Sequence, residues 1–236
     1  MRVISLSFLL LATTAAAAAA QVGHPPDQSP YSDIAAGHSI TPLVTFVGGD
    51  GGPLGLGPHN GVTVGGRYDL RVNYTLGFAL TVTQGNMDRL IVNPFVKLVN
   101  RTTGPVQQKV TFADLTAQFN VTGGKAWHRL APFVGIAGGM AFARSTPADT
   151  SGYDFGNRFY VAPQIGTRYF VARNVVLRID ARAIFWRLRY PDAFAFEPVE
   201  EPGTADQSNA VRPDGNLTDW TVTPQLQVGL GYVFRW

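Results

Sequence analysis

The sequence predicts an all-β chain: an eight-stranded antiparallel up-and-down transmembrane β-barrel. Three observations carry this expectation. The first is the last segment, where every second residue is large and apolar or proline: Trp220, Val222, Pro224, Leu226, Val228, Leu230, Tyr232, Phe234 and Trp236. Alternate side chains of a strand point to opposite faces, so one face is apolar with aromatics at both ends and the other is small and polar. Strands of soluble sheets usually run for only ~5–6 residues. Alternation held from 220 to 236 fits a strand whose apolar face meets lipid between two aromatic girdles. The second observation is that long and short connections alternate along the chain. The third is the lack of cysteine and, after the N-terminal leader, of any uninterrupted apolar run near the ~18 residues of a transmembrane helix. An exported chain of this length without disulfides relies on core packing or on a closed barrel.

The elements follow in order. Met1-Arg2, an apolar run from Val3 to Leu11 and alanines up to Ala20 read as a secretory signal peptide over 1–20. No cysteine follows to carry a lipid anchor. Loss of Arg2 with that leader lowers the formal net charge from +3 to +2, and no basic run suggests nucleic acid. Residues 21–34, Pro-rich and polar, read as a periplasmic linker, and 35–236 as the barrel. Strands are expected at 35–47, 60–72, 74–84, 110–121, 129–142, 158–171, 175–189 and 220–236. The first, third, fifth and seventh connections (48–59, 85–109, 143–157, 190–219) are the longer ones. The even ones, near Val72-Asn73, 122–128 and 172–174, are short. Outer-membrane barrels have this asymmetry, with short periplasmic turns and longer external loops.

The outward faces are apolar strand by strand, for example Val62, Val64, Tyr68 and Leu70 on the second and Leu177, Ile179, Ala181, Ala183 and Phe185 on the seventh. The first strand is ambiguous, with Ile40, Val44 and Phe46 set against Leu43 and Val47. The inward faces collect Arg67, Asp69, Arg71, Asp114, Arg168, Arg178, Asp180, Arg182 and Arg235, interspersed with Gly and Ala. Eight strands leave a bore that side chains fill. These charges are therefore expected to interlock as an ion-pair network, with Asp180 meeting arginines of neighbouring strands such as Arg168.

Gly-Gly-Arg-Tyr at 65–68, Val-Leu-Arg-Ile-Asp-Ala-Arg at 176–182 and the ending Val228-Gly-Leu-Gly-Tyr-Val-Phe-Arg-Trp236 complete the pattern. With them, residues 35–236 resemble the small bacterial outer-membrane β-barrel proteins with an OmpA-like or OmpX-like membrane domain. The resemblance implies outer-membrane lipid as the surroundings. It also implies an assembly signal, read by the outer-membrane assembly machinery, at Val228, Leu230, Tyr232, Phe234 and Trp236. It leaves the role open, because members serve as anchors, adhesins, narrow channels or evasion factors.

Other candidate sites are weak. The glycines at 48–57 lack the Lys-Ser/Thr of a phosphate loop. The sequons at Asn73, Asn100, Asn120 and Asn216 read as chance matches in a bacterial barrel. The carboxylates between Tyr190 and Asp219 lack calcium-loop spacing and read as a solvated acidic loop. His24, His38, His59 and His128 have no metal-ligand spacing, and no cofactor is expected. An enzyme acting on lipid or peptide needs a nucleophile beside a base. The neighbours His38 and Ser39 would face opposite sides of a strand. The expectation is a non-enzymatic barrel, envelope-structural or loop-presenting, with a narrow channel for ions or small solutes as the alternative.

Overall fold

The computed structural model describes residues 29–34, 37–147, 149–204 and 206–235, with Arg235 in backbone only. The expected signal peptide and Trp236 lie outside the described residues. Ten strands follow in order: β1 (Tyr31–Asp33), β2 (Gly37–Val47), β3 (His59–Arg71), β4 (Leu76–Val92), β5 (Thr102–Asn120), β6 (Lys125–Trp127), β7 (Leu130–Ala143), β8 (Asn157–Phe170), β9 (Val175–Arg189) and β10 (Thr218–Arg235). Eight of them close a ring in the order β7-β5-β4-β3-β2-β10-β9-β8, and β8 returns to β7. All the pairings are antiparallel, and β10 seals the ring against β2, from Gln225↔Val47 to Arg235↔Gly37. The fold is thus an eight-stranded up-and-down barrel, which leaves no open edge to be satisfied in lipid.

Local chemistry sets the short ends. At 72–75 the Asn73 side-chain oxygen accepts from the backbone N–H groups of Thr75 at 2.8 Å and Leu76 at 2.7 Å, a side-chain-closed turn. At 171–174 the N–H groups of Ala172 and Val175 donate to each other's carbonyls. These two turns, with 121–129, lie at one end of the barrel, and the longer loops lie at the other.

The outward faces carry the apolar residues on every strand of the ring. Ile40, Val44 and Phe46 point outward, and Leu43 and Val47 are buried in the bore, which resolves the first strand. Tyr68, Tyr74, Trp220 and Tyr232 are among the exposed aromatics toward the two rims.

Two findings differ from the sequence expectation. Residues 85–109 are mostly strand, because β4 and β5 continue as a paired ribbon with Asp88↔Gln107 and Val92↔Thr102. Beyond the lipid band water replaces lipid outside, so polar Gln84, Asn86 and Asp88 face outward and Met87, Ile91 and Val110 face in. The pattern is inverted there, and an apolar-outward search reads it as loop. The second difference is at the turn end. Tyr31–Asp33, expected within a linker, pairs with β6, and Ile34 packs on Ala126, Ala131 and Phe170. Arg71 Nη1 donates to the Ile34 carbonyl at 3.0 Å. This segment straps across the mouth of the bore.

Candidate functional site

The bore holds the chemistry, in layers. The lowest full layer is centred on Asp69. Its Oδ1 accepts from Arg67 Nε at 3.0 Å, Arg178 Nη1 at 3.2 Å and Gln118 Nε2 at 3.1 Å. Gln118 Oε1 in turn accepts from Arg67 Nη2 at 3.3 Å and Arg178 Nη2 at 3.2 Å. One amide and one carboxylate thus clamp two guanidiniums from opposite walls, a geometry suited to the fixed donor fork of arginine. Arg178 also donates through Nε to Asp180 Oδ2 at 2.5 Å and lies over the Phe133 ring, 4.3 Å from its centroid. Gly166 makes room for this packing. A methyl group there would stand 2.4 Å from Asp180 Oδ1 and 2.6 Å from Phe133.

A second layer lies above it. Asp114 Oδ2 accepts from Arg182 Nη1 at 2.9 Å and from the Tyr160 hydroxyl at 2.7 Å, and Arg182 Nε donates to Gln225 Oε1 at 2.7 Å. Arg67, Asp69, Asp114, Arg178, Asp180 and Arg182 are all buried. Arg71 and Arg168 stand lower, around a cavity of about 30 Å³ that they share with Ile34 and Ser39. Arg168 donates to Asn120 Oδ1 instead of meeting Asp180, whose partner is Arg178 two residues away on the same strand. The side chain of Arg235 lies outside the description.

The third layer was not expected from the sequence. Towards the loop end the bore is filled by Phe112, Tyr160, Ile184, Trp186 and Leu188, joined from the loops by Leu56, Phe155 and Phe194. Trp186 stacks on Phe112 with centroids 6.0 Å apart and meets Phe155 edge-on at 5.1 Å. The signal for it was present in β9, whose inward positions change from Arg178, Asp180 and Arg182 to Ile184, Trp186 and Leu188. Over this plug the loops are tied down. Arg89 Nη2 donates to Asp149 Oδ2 at 2.6 Å, with both side chains almost fully buried. Burial by itself would push the Asp149 carboxyl up, but the hydroxyl and amide of Ser151 and the Arg89 guanidinium hold it below the usual carboxylate range. Burial pushes the phenols of Tyr153 and Tyr190 up, so both stay neutral.

The acidic loop is folded on itself. The Glu197 carboxylate accepts from the Ser208 hydroxyl and from the N–H groups of Gly203 at 2.9 Å and Asn209 at 3.0 Å, which holds it below its ordinary range. Glu201 Oε2 accepts from the Leu98 N–H at 3.0 Å and so ties this loop to the β4–β5 tip. Among the described residues no three His, Asp or Glu side chains converge as a metal site. His38 faces outward against the Tyr68 hydroxyl, and Ser39 faces the bore. Of the positions expected to carry an assembly signal, Leu230, Tyr232 and Phe234 are exposed on the outer face of β10, with Val228 half-buried on that face.

No protein-family model matches the chain, and no curated protein matches it in sequence. Solved structures do match. Neisserial surface protein A superposes with a TM-score of 0.53 at 14% identity, over 85% of this chain and 99% of that one. The outer membrane protein OprG from Pseudomonas aeruginosa superposes with a TM-score of 0.51 at 14% identity, over 86% of this chain and 99% of that one. At that identity the likeness is one of architecture, and it agrees with the closed ring and its apolar outer band. The chain has the eight-stranded β-barrel fold of the small bacterial outer-membrane proteins.

Proposed function

We propose that this is a non-enzymatic outer-membrane barrel with a closed bore, which presents its ordered loops outside the cell. The stacked filling of the bore carries the reading. Two layers of interlocked Arg, Asp and Gln lie beneath an aromatic layer built on Trp186, and the strap at Ile34 lies beneath both. A conducting barrel of eight strands would need a continuous wet path, and these side chains occupy it. At the other end, Phe95, Val99, Phe196 and Val199 stand exposed on loops held in place by the Glu197 and Glu201 contacts. Exposed apolar side chains on an ordered scaffold suit a surface that meets a partner.

The same reading includes export by the leader at 1–20, a turn-end strap on the periplasmic side, and delivery to the assembly machinery by the alternating residues that end at Trp236. It is supported by the basic-apolar-alanine start of the chain and by the outward placement of Leu230, Tyr232 and Phe234 on the closing strand. A planar-bilayer recording tests the closed bore. The wild-type protein is expected to be silent, while steady conductance steps would replace this reading with that of a narrow channel.

A further inference from the structure

On the outer wall of β9 the large apolar side chains give way at two consecutive outward positions. Along β9 the outward residues are Leu177, Ile179, Ala181, Ala183, Phe185, Arg187 and Arg189. Beside Ala181 stand Ile165 on β8 and Leu226 on β10, and beside Ala183 stands Pro224. The two alanines thus form the floor of an apolar groove of about 650 Å³ whose walls are larger side chains. Pro163 borders it as well, and the β8–β9 pairing lapses there, between Val161 and Gln164. The rest of β9's outer face is filled by Leu177, Ile179 and Phe185.

The same ridge turns cationic at the loop-end rim. Arg187 and Arg189 are both exposed, and among the described residues neither makes an ion pair. Arg187 Nη2 donates to Thr218 Oγ1 at 2.8 Å, which holds the guanidinium at the wall. Trp220, exposed on β10, is its cross-strand partner. On the other side Tyr160 pairs with Trp186, and continuing that register puts Phe159 opposite Arg187. Aromatic side chains of this kind mark the level of lipid headgroups. At ~3.3 Å per strand residue, Arg187 stands roughly 13 Å along the strand from Ala183. That is the spacing between a headgroup phosphate and the middle of its own acyl chain.

We propose that this wall is a specific seat for a phosphate-bearing membrane lipid. The phosphate binds Arg187 and Arg189 between Phe159 and Trp220, and one acyl chain runs past Phe185 into the Ala181–Ala183 groove. Guanidinium is the side chain best matched to phosphate oxygens. The groove admits a straight chain because two consecutive outward positions carry only a methyl group. The seat depends on the membrane-spanning barrel and not on whether the bore conducts.

The test uses the full mature chain in nanodiscs of phosphatidylcholine with a minority of phosphatidylglycerol. Native mass spectrometry then counts the lipids retained after release from the disc. Wild type is expected to retain one phosphatidylglycerol, enriched over its bulk fraction by roughly 5- to 30-fold, the range that one or two surface guanidiniums supply. Arg187→Gln/Arg189→Gln lies beyond the apolar band and should insert normally, yet return retention to the bulk ratio. Ala183→Phe should fill the groove and lower retention with both guanidiniums present. Wild-type retention at the bulk ratio, or an unchanged ratio in the double Gln variant, would overturn the proposal. So would loss of the retained lipid on adding millimolar inorganic phosphate, which would identify a soluble-anion site without an acyl groove. Failure to insert into the discs at all would overturn the barrel reading along with the seat.

Discussion

Asp69→Ala is the most informative perturbation of the bore. The carboxylate is buried, and its Oδ1 accepts from Arg67, Arg178 and Gln118 at 3.0, 3.2 and 3.1 Å. Its removal leaves both guanidiniums buried, with Asp180 the remaining carboxylate bonded to Arg178 and only Thr81 and Gln118 bonded to Arg67. Breaking a buried charge pair by removing one partner costs ~3–5 kcal/mol. With a urea dependence of ~2 kcal/mol per molar, the unfolding midpoint should fall by ~2 M. The assay is urea unfolding of the protein in lipid vesicles, followed by tryptophan fluorescence and by the mobility of unboiled samples on gels. Asp69→Asn keeps the shape and an acceptor oxygen but loses the charge, so its midpoint should lie between the other two. A shift for Asp69→Ala below ~0.5 M, about 1 kcal/mol at that slope, would refute the reasoning. It would mean that water screens these charges and that the layer is not a dry plug.

Trp186→Ala should cost ~3–5 kcal/mol through the cavity left among Phe112, Phe155 and Leu188, and conductance should stay silent because the Asp69 layer still blocks the bore. Gly166→Ala should destabilise the barrel by ~1–3 kcal/mol, since the added methyl meets Asp180 and Phe133, and a denaturant midpoint at wild-type level would count against that packing. The Asp149 carboxyl titrates below its unfolded value of ~3.9. Its contribution to stability is therefore fully present above that value and is lost as pH falls through the lower folded one. Backbone hydrogen exchange in the loop 144–156, relative to its intrinsic rate at each pH, should accordingly quicken below about pH 4, and Asp149→Asn should show the faster relative exchange already at pH 7. Deletion of 234–236 should abolish membrane insertion in cells, because Phe234 and Arg235 pair with His38 and Gly37 where β10 closes the ring against β2, and normal levels of the truncated protein in the outer-membrane fraction would contradict this.

Much of the barrel was legible because lipid imposes a rule with period two. In β3, β7, β9 and β10 every outward position inside the band must be apolar, so the facing of each strand could be read from residue order alone. The rule fails where the lipid ends. The upper parts of β4 and β5 face water outside and a packed plug inside, so Asp88 and Met87 exchange the roles that the band would assign them. The strap at 31–34 was hidden for a different reason. Three residues of strand among prolines carry no periodicity, and only the partner at 125–127 gives them structure.

By itself, the sequence determined which residues face the bore within the lipid band of β3, β7, β9 and β10, since alternation is local and each strand states its own two faces. It also determined that the bore would be crowded with charge, from the run Arg178, Asp180, Arg182 and its counterparts on β3 and β5. The tertiary structure alone decided the pairing. Asp69 meets Arg178 across the barrel, Asp180 turns to its own strand, and Arg168 is left with Asn120. Which charge reaches which depends on the relative heights of strands around the closed ring. That stagger is a property of closure, and no single strand encodes it.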